Sequence, residues 1–244
     1  MAQSESLVQE LAKNHATGAL SQTTAKRAAW SYPTHVTGEL AVMVSPGSDM
    51  AQHLVSVAAQ LQHMHVDVGI RSFCFIGDDK NVGTTVVAAN VAAAFAMSGQ
   101  RTILVEANLR SPRLASMFGI DKAKPGLSEW MAGLGDVQSW AGYMQPAYPN
   151  LMVMTAGNAL KESEAYLATE LRGLIVEMSR MFDVVICDCA PMSDVSGTLA
   201  VVAAVERTIM VARTNQTRLN ALFAFQDVVK NCGSVIGGSI LLDF

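Results

Sequence analysis

Runs of strand length that are apolar at every position, rather than at alternate ones, constrain this sequence most. Val184–Ile186 and Ile209–Val211 are such runs, and a strand apolar on both sides needs cover on both faces of its sheet. Further strand candidates are Leu40–Val44, Arg71–Ile76, Thr102–Glu106, Leu151–Thr155, Asp183–Asp188, Arg207–Ala212 and Val235–Leu242. Helical patterns over Ala51–His63, Thr85–Ser98, Glu164–Met181 and Arg218–Asn231 fall between them. Strands separated by helices of this length pair in parallel through right-handed crossovers. The predicted fold is a doubly wound α/β domain, a mostly parallel sheet with helices on both faces. A chain of 244 residues, 50% of them apolar, can build one sizeable core of this kind. Residues 1–38, rich in Ser, Thr, Ala and Gln, read as a flexible arm, and 39–244 as the domain. The aromatic patch Trp30, Tyr32 and Pro33 reads as incidental packing.

Charge and cysteine usage exclude several function classes. A net charge of −4 without clustered Lys and Arg argues against nucleic acid. Cys74, Cys187, Cys189 and Cys232 match no zinc spacing and read as buried thiols in a reducing cytoplasm. His53, His63 and His65 lack partners at ligand spacing. The first ten residues are polar and do not read as a signal peptide. The longest apolar stretch, Val86–Met97, is interrupted by Asn90 and too short to span a bilayer. A membrane role would come through a partner.

In a doubly wound sheet the ligand crevice lies at the carboxyl ends of the strands. Three strand ends carry polar residues: Ile76–Thr85, Glu106–Arg110 and Asp188–Pro191. The first is strand–loop–helix, with Gly77-Asp78-Asp79-Lys80-Asn81-Val82-Gly83-Thr84-Thr85 between apolar flanks. A phosphate-binding loop wraps phosphate with backbone N–H groups at a helix N-terminus. It adds a Lys for the β/γ-phosphates and a Ser/Thr hydroxyl for Mg²⁺. Gly83 and Thr85 stand where the last Gly and the Mg²⁺ hydroxyl belong, but Thr84 holds the lysine position. The third strand end is a hydrophobic run closing on Asp188, as a Mg²⁺-binding carboxylate requires.

These motifs, in this order, resemble the cytoplasmic kinase domain of the bacterial tyrosine kinases, relatives of the septum-site and chromosome-partitioning ATPases. The resemblance covers about residue 40 onward. It is carried by Ala88-Ala89-Asn90-Val91-Ala92, Asn108-Leu109-Arg110-Ser111-Pro112, Gly126-Leu127-Ser128-Glu129-Trp130-Met131-Ala132-Gly133 and the Asp183–Pro191 run. In the family the corresponding pieces are P-G-E-G-K-S-T-x-x-A-N-L-A, D-x-D-x-R-x-P, G-L-S-E-x-L-x-G and Y-D-x-V-I-I-D-x-P-P.

The departures shape what the resemblance implies. The family lysine falls on Thr84 and its Pro-Gly-Glu on Lys80-Asn81-Val82. Its paired aspartates, implied to act on Mg²⁺ and the nucleophile, fall on Glu106 and Asn108, while Asp188 is kept. Glu106, Asn108 and Asp188 are then vestiges of a catalytic set, with no catalytic role assigned. Lys80, Gly83, Thr84, Thr85 and Arg110 are the candidates for nucleotide contact, with Thr85 and Asp188 as Mg²⁺ ligands. Arg110, Arg113 and Arg213 read as surface or ion-pair residues, although Arg110 matches the family arginine. Asp78 and Asp79 would repel a triphosphate if they faced the site. The cofactor reading is weak ATP or ADP binding with Mg²⁺ at most. The family's assembly Glu and two Arg fall on Gln52, Val55 and Ala58, so a monomer or a two-fold dimer with a small apolar contact is expected. Leu241-Leu242-Asp243-Phe244 holds no tyrosine, so autophosphorylation on a tyrosine-rich tail is not expected. The resemblance implies a catalytically impaired, kinase-like cytoplasmic protein. It would sit at the inner face of the membrane with a polysaccharide copolymerase partner, in capsule, exopolysaccharide or holdfast-like polymer export. The alternatives are an active ATPase or tyrosine kinase using Lys80, Thr85, Glu106 and Asp188, and, more weakly, a partitioning or positioning ATPase.

Overall fold

Seven strands form one sheet in the computed structural model, which describes residues 32–33, 35–134, 140–158, 167–193 and 195–243. Trp30 with the arm to residue 31, Tyr166, and the start of the helix expected at Glu164 lie outside these residues. The strands are β1 (Ser72–Gly77), β2 (Thr102–Glu106), β3 (Gln145–Tyr148), β4 (Leu151–Met154), β5 (Val184–Asp188), β6 (Arg207–Arg213) and β7 (Val235–Leu242). Their order is β3-β4-β2-β5-β1-β6-β7. Every pairing is parallel except β3 with β4, which is antiparallel. The helices are α1 (Ala41–Val44), α2 (Asp49–Val68), α3 (Thr84–Met97), α4 (Leu114–Phe118), α5 (Leu127–Glu129), α6 (Leu167–Met181), α7 (Val195–Ala204) and α8 (Leu219–Asn231).

The continuously apolar strands are covered on both faces, as their sequence requires. Phe73, Phe75, Leu104, Val153, Val184 and Ile186 pack toward α1–α4. Their neighbours Cys74, Ile76, Ile103, Val105, Met154, Val185 and Cys187 pack toward α6–α8. Helix α3 is apolar around its whole circumference, which suits a helix held between the sheet and α2 rather than one facing water. Helix α2 is amphipathic: Ala51, Leu54, Ala58 and Leu61 face the core, Ser48 caps its start and Gly69 closes its end in the left-handed region.

Leu40–Val44 is not the expected strand. It forms a helical turn instead, because Asn90 on α3 reaches across to it. The Asn90 side chain accepts from Val42 N at 3.0 Å and donates to the carbonyls of Glu39 and Val86, both at 2.8 Å. A buried amide fully satisfied by backbone anchors the segment to α3 and leaves it no sheet edge to join. A second difference concerns Ala58. It is only 5% exposed, so the expected contact through Val55 and Ala58 is not available: Val55 and Gln52 face outward while Ala58 faces the core.

Candidate functional site

The carboxyl ends of β1, β2 and β5 converge, since β5 lies between the other two. The register sets Asp188 beside Phe75 on one side and Glu106 on the other. After β1 the chain turns through Gly77–Gly83 into α3. A Cβ on Gly77 would lie 2.2 Å from Val82 Cγ2 and 2.8 Å from Thr84 Oγ1, so only glycine lets the loop close on itself. Asn81 and Gly83 take positive φ (64° and 102°), which turns successive backbone groups toward the mouth of α3. Lys80, Thr84, Thr85, Asn108, Arg110 and Arg113 border one cleft here, with Asp79, Gly83, Cys189 and Pro191. The structure therefore brings together the sequence-predicted cleft residues. The cleft measures about 100 Å³, against roughly 300–1,000 Å³ for a pocket that encloses a small molecule.

The two retained carboxylates have different circumstances. Glu106 is buried, and its oxygens are taken by backbone: Oε1 accepts from the N–H groups of Arg113 and Leu114, and Oε2 from Ala156 at 3.0 Å. Burial pushes its pKa up while these three N–H groups pull it down, and burial prevails. Glu106 thus staples the 107–113 loop and the end of β4 to β2. Asp188 is also fully buried, yet neither carboxylate oxygen has a hydrogen-bond partner of normal geometry. The Thr85 hydroxyl lies beside it and favours its charged form. Burial, with the Glu106 charge adding to it, pushes the Asp188 pKa up to about 8 against the lesser pull of Thr85 and Arg113. An unpartnered buried carboxylate next to a threonine hydroxyl fits a hard, oxygen-seeking cation. Thr85 and Asp188 would hold Mg²⁺ there, which when bound would neutralise phosphate charge.

The remaining loop charges are directed by neighbouring elements. Asp78 turns away from the cleft and accepts from Thr217 Oγ at 2.8 Å. Asp79 stays at its rim, accepting from Lys80 N at 2.7 Å. Arg213 donates to the carbonyl of Asn81 at 3.2 Å, so the end of β6 clasps the loop from outside. Arg113 pairs with Glu39, and Asn108 Oδ1 accepts from Ser111 N at 3.3 Å. Cys74, Cys187 and Cys189 are buried among apolar residues.

Glu129, in the Gly126–Gly133 segment, is a functional-looking residue that turns out to lock structure. Against the upward push of partial burial, the N–H groups of Gly126 and Asn158 and the Ser128 hydroxyl hold its carboxylate below its ordinary range. Leu127 N and Ser128 N bond the carbonyls of Thr155 and Ala156, so the motif clamps the end of β4. Its signal in the sequence was the G-L-S-E spacing; nothing there revealed its partner at Gly157–Asn158.

Among the described residues, no helix is long and apolar enough to cross a membrane. No protein-family model matches the chain. Among curated proteins, it is 26% identical over 168 residues to the tyrosine-protein kinase ptk of Acinetobacter johnsonii, covering 68% of this chain and 22% of that protein. It is 31% identical over 140 residues to the succinoglycan biosynthesis transport protein ExoP of Rhizobium meliloti, covering 55% of this chain and 17% of that one. The chain thus spans less than a quarter of either relative. Among solved structures, the kinase domain of the Escherichia coli tyrosine kinase ETK superposes with a TM-score of 0.77 at 22% identity, over 86% of this chain and 82% of that one. The septum site-determining protein MinD of Pyrococcus horikoshii, complexed with Mg-ADP, superposes with a TM-score of 0.61 at 21% identity, over 70% of this chain and 69% of its own. These likenesses establish a P-loop α/β fold. The chain is a sequence relative of the bacterial tyrosine-protein kinases, built on the fold of their kinase domains.

Proposed function

We propose that this chain is a catalytically impaired, kinase-derived P-loop protein that serves bacterial polysaccharide production as a cytoplasmic regulatory or structural partner. One observation carries the reading: Glu106, at the place of a family aspartate, spends both carboxylate oxygens on three backbone N–H groups. With Thr84 in the lysine position and Asn108 in that of the second acid, the cleft offers little preorganised charge for phosphoryl transfer. Thr85 and Asp188 support residual, weak binding of Mg²⁺ with ATP or ADP. The polymer-export setting rests on relatives such as the succinoglycan biosynthesis transport protein. In that setting the partner is a membrane copolymerase or its cytoplasmic segment, which holds the chain at the inner face of the membrane.

The test is complementation. A strain lacking the gene should regain polymer export when supplied with Thr84→Ala or Asp188→Asn variants that fold normally. Well-folded variants that fail to restore export would overturn the reading. They would favour the working-kinase alternative, for which Lys80 at the cleft rim is the one supporting observation.

A further inference from the structure

The two edges of the sheet are not alike. β3 ends it with four residues including Pro146, a short edge with a residue that cannot donate to a new neighbour, as protected edges usually are. β7 ends it with eight residues, Val-Ile-Gly-Gly-Ser-Ile-Leu-Leu. That run holds no charge and no proline. Among the described residues β7 pairs with β6 alone, so one row of its backbone donors and acceptors faces outward.

The surroundings are apolar as well. An irregularity opposite Thr208 and Ile209 shifts the register of β7. Beyond it Ile240 and Leu242 face the α1–α4 core. Leu241, which points to the opposite face by strand alternation, is 69% exposed on the α8 side. Helix α8 starts at this same carboxyl end of the sheet, and its first turns present Leu219 and Phe223, 71% and 64% exposed. Three large apolar side chains are therefore exposed at the carboxyl end of the sheet, where β7 carries no charge and no proline.

We propose that β7 is a two-fold interface, pairing antiparallel with β7 of a second copy of this chain. A bare edge strand without charge or proline is complementary to its own copy, which selects this occupant. Lys230, in the last turn of α8, lies at the amino end of β7, and Asp243 follows its carboxyl end; both are exposed. Antiparallel pairing brings the Lys230 end of each copy to the end of the other that carries Asp243 and Arg218, twice about one axis. The uncharged strand places no like charges opposite one another. Main-chain bonds fix the orientation, and Leu219, Phe223 and Leu241 extend the apolar area beyond the strands.

Light scattering and sedimentation of the full chain over a wide concentration range test this. The wild type should pass reversibly from one to two copies. Ser239→Lys and Leu241→Lys should each raise the dissociation constant about tenfold or more, while Val66→Lys on the outer face of α2 should leave it unchanged. Ser239→Cys provides an independent reading: oxidation should link two copies through the new thiol. A monomer at every concentration, open-ended aggregates in place of a dimer, or a dimer that ignores both lysines and forms no Ser239→Cys cross-link would overturn the proposal. A monomer whose β7 amides resist exchange would do so too, since another strand would then hold the edge.

Discussion

Replacing Asp188 by asparagine should stabilise this protein at alkaline pH and remove most of its pH dependence. The carboxylate is fully buried without a satisfying partner and sits beside Glu106 across one strand spacing. Its pKa rises from 3.8 to about 8, through burial first and the neighbouring charge second. Between those values the folded state holds a proton that the unfolded chain has released. Stability from this group is therefore fully present below the unfolded pKa, and it is lost as pH rises through the folded one. About four pKa units at ~1.36 kcal/mol each give on the order of 5 kcal/mol across the whole window. Roughly 3 kcal/mol of that falls between about pH 5.5 and about pH 8.5, as a ceiling that any admission of water would lower. Urea unfolding of the wild type and Asp188→Asn at those two pH values is the assay. The wild type should lose a few kcal/mol on going to the higher pH and regain part of it with Mg²⁺. Asp188→Asn should lose much less, gain nothing from Mg²⁺, and be the more stable protein at the higher pH; Glu106, also shifted upward, leaves it a small residual slope. A wild type with flat stability across the interval, or a variant that is less stable at the higher pH, would refute the reasoning.

Other consequences are local. Glu106→Ala strips the acceptor from three N–H groups, two of them in buried bonds, and should cost about 3 kcal/mol or more, with faster amide exchange at Leu114 and Ala156. Asn90→Ala should cost about 2 kcal/mol and raise exchange over residues 39–44 before anywhere else. Gly157→Ala would put a Cβ 1.9 Å from Glu129 Oε2 at a φ of +83°. It should cost about 2 kcal/mol or more, read as a lowered urea midpoint.

The sheet was legible because its strands are apolar at every position, a pattern that has few other uses in a chain of this composition. β2 and β7 match the sequence reading end to end. β3 carries no strand signal because its four residues, Gln-Pro-Ala-Tyr, include Pro146 and no β-branched residue. Leu40–Val44 has the pattern of a strand because its apolar run, with Val42 and Val44 β-branched, suits a sheet as well as a helical turn. Asn90, forty-eight residues away from Val42, decides it, and no local pattern carries that information. At the site, Thr84, Thr85, Asn108 and Arg110 come together at the cleft because strand ends and a glycine loop fix where polar residues go. The occupation of Glu106 by backbone was not legible. It depends on where the N–H groups of Arg113, Leu114 and Ala156 fall after folding. The same holds for Asp78, whose turn toward Thr217 is set by the loop after β6.

In the proposed reading the P-loop keeps its turn, Thr85 and Asp188, but holds Thr84 where the family lysine falls. Titration calorimetry with Mg·ATP, paired with a phosphate-release assay on the same preparation, tests that most directly. The expected result is affinity no tighter than the high micromolar range and turnover at background, with Thr84→Lys restoring binding while hydrolysis stays low. Low-micromolar binding with steady phosphate release by the wild-type chain would contradict it.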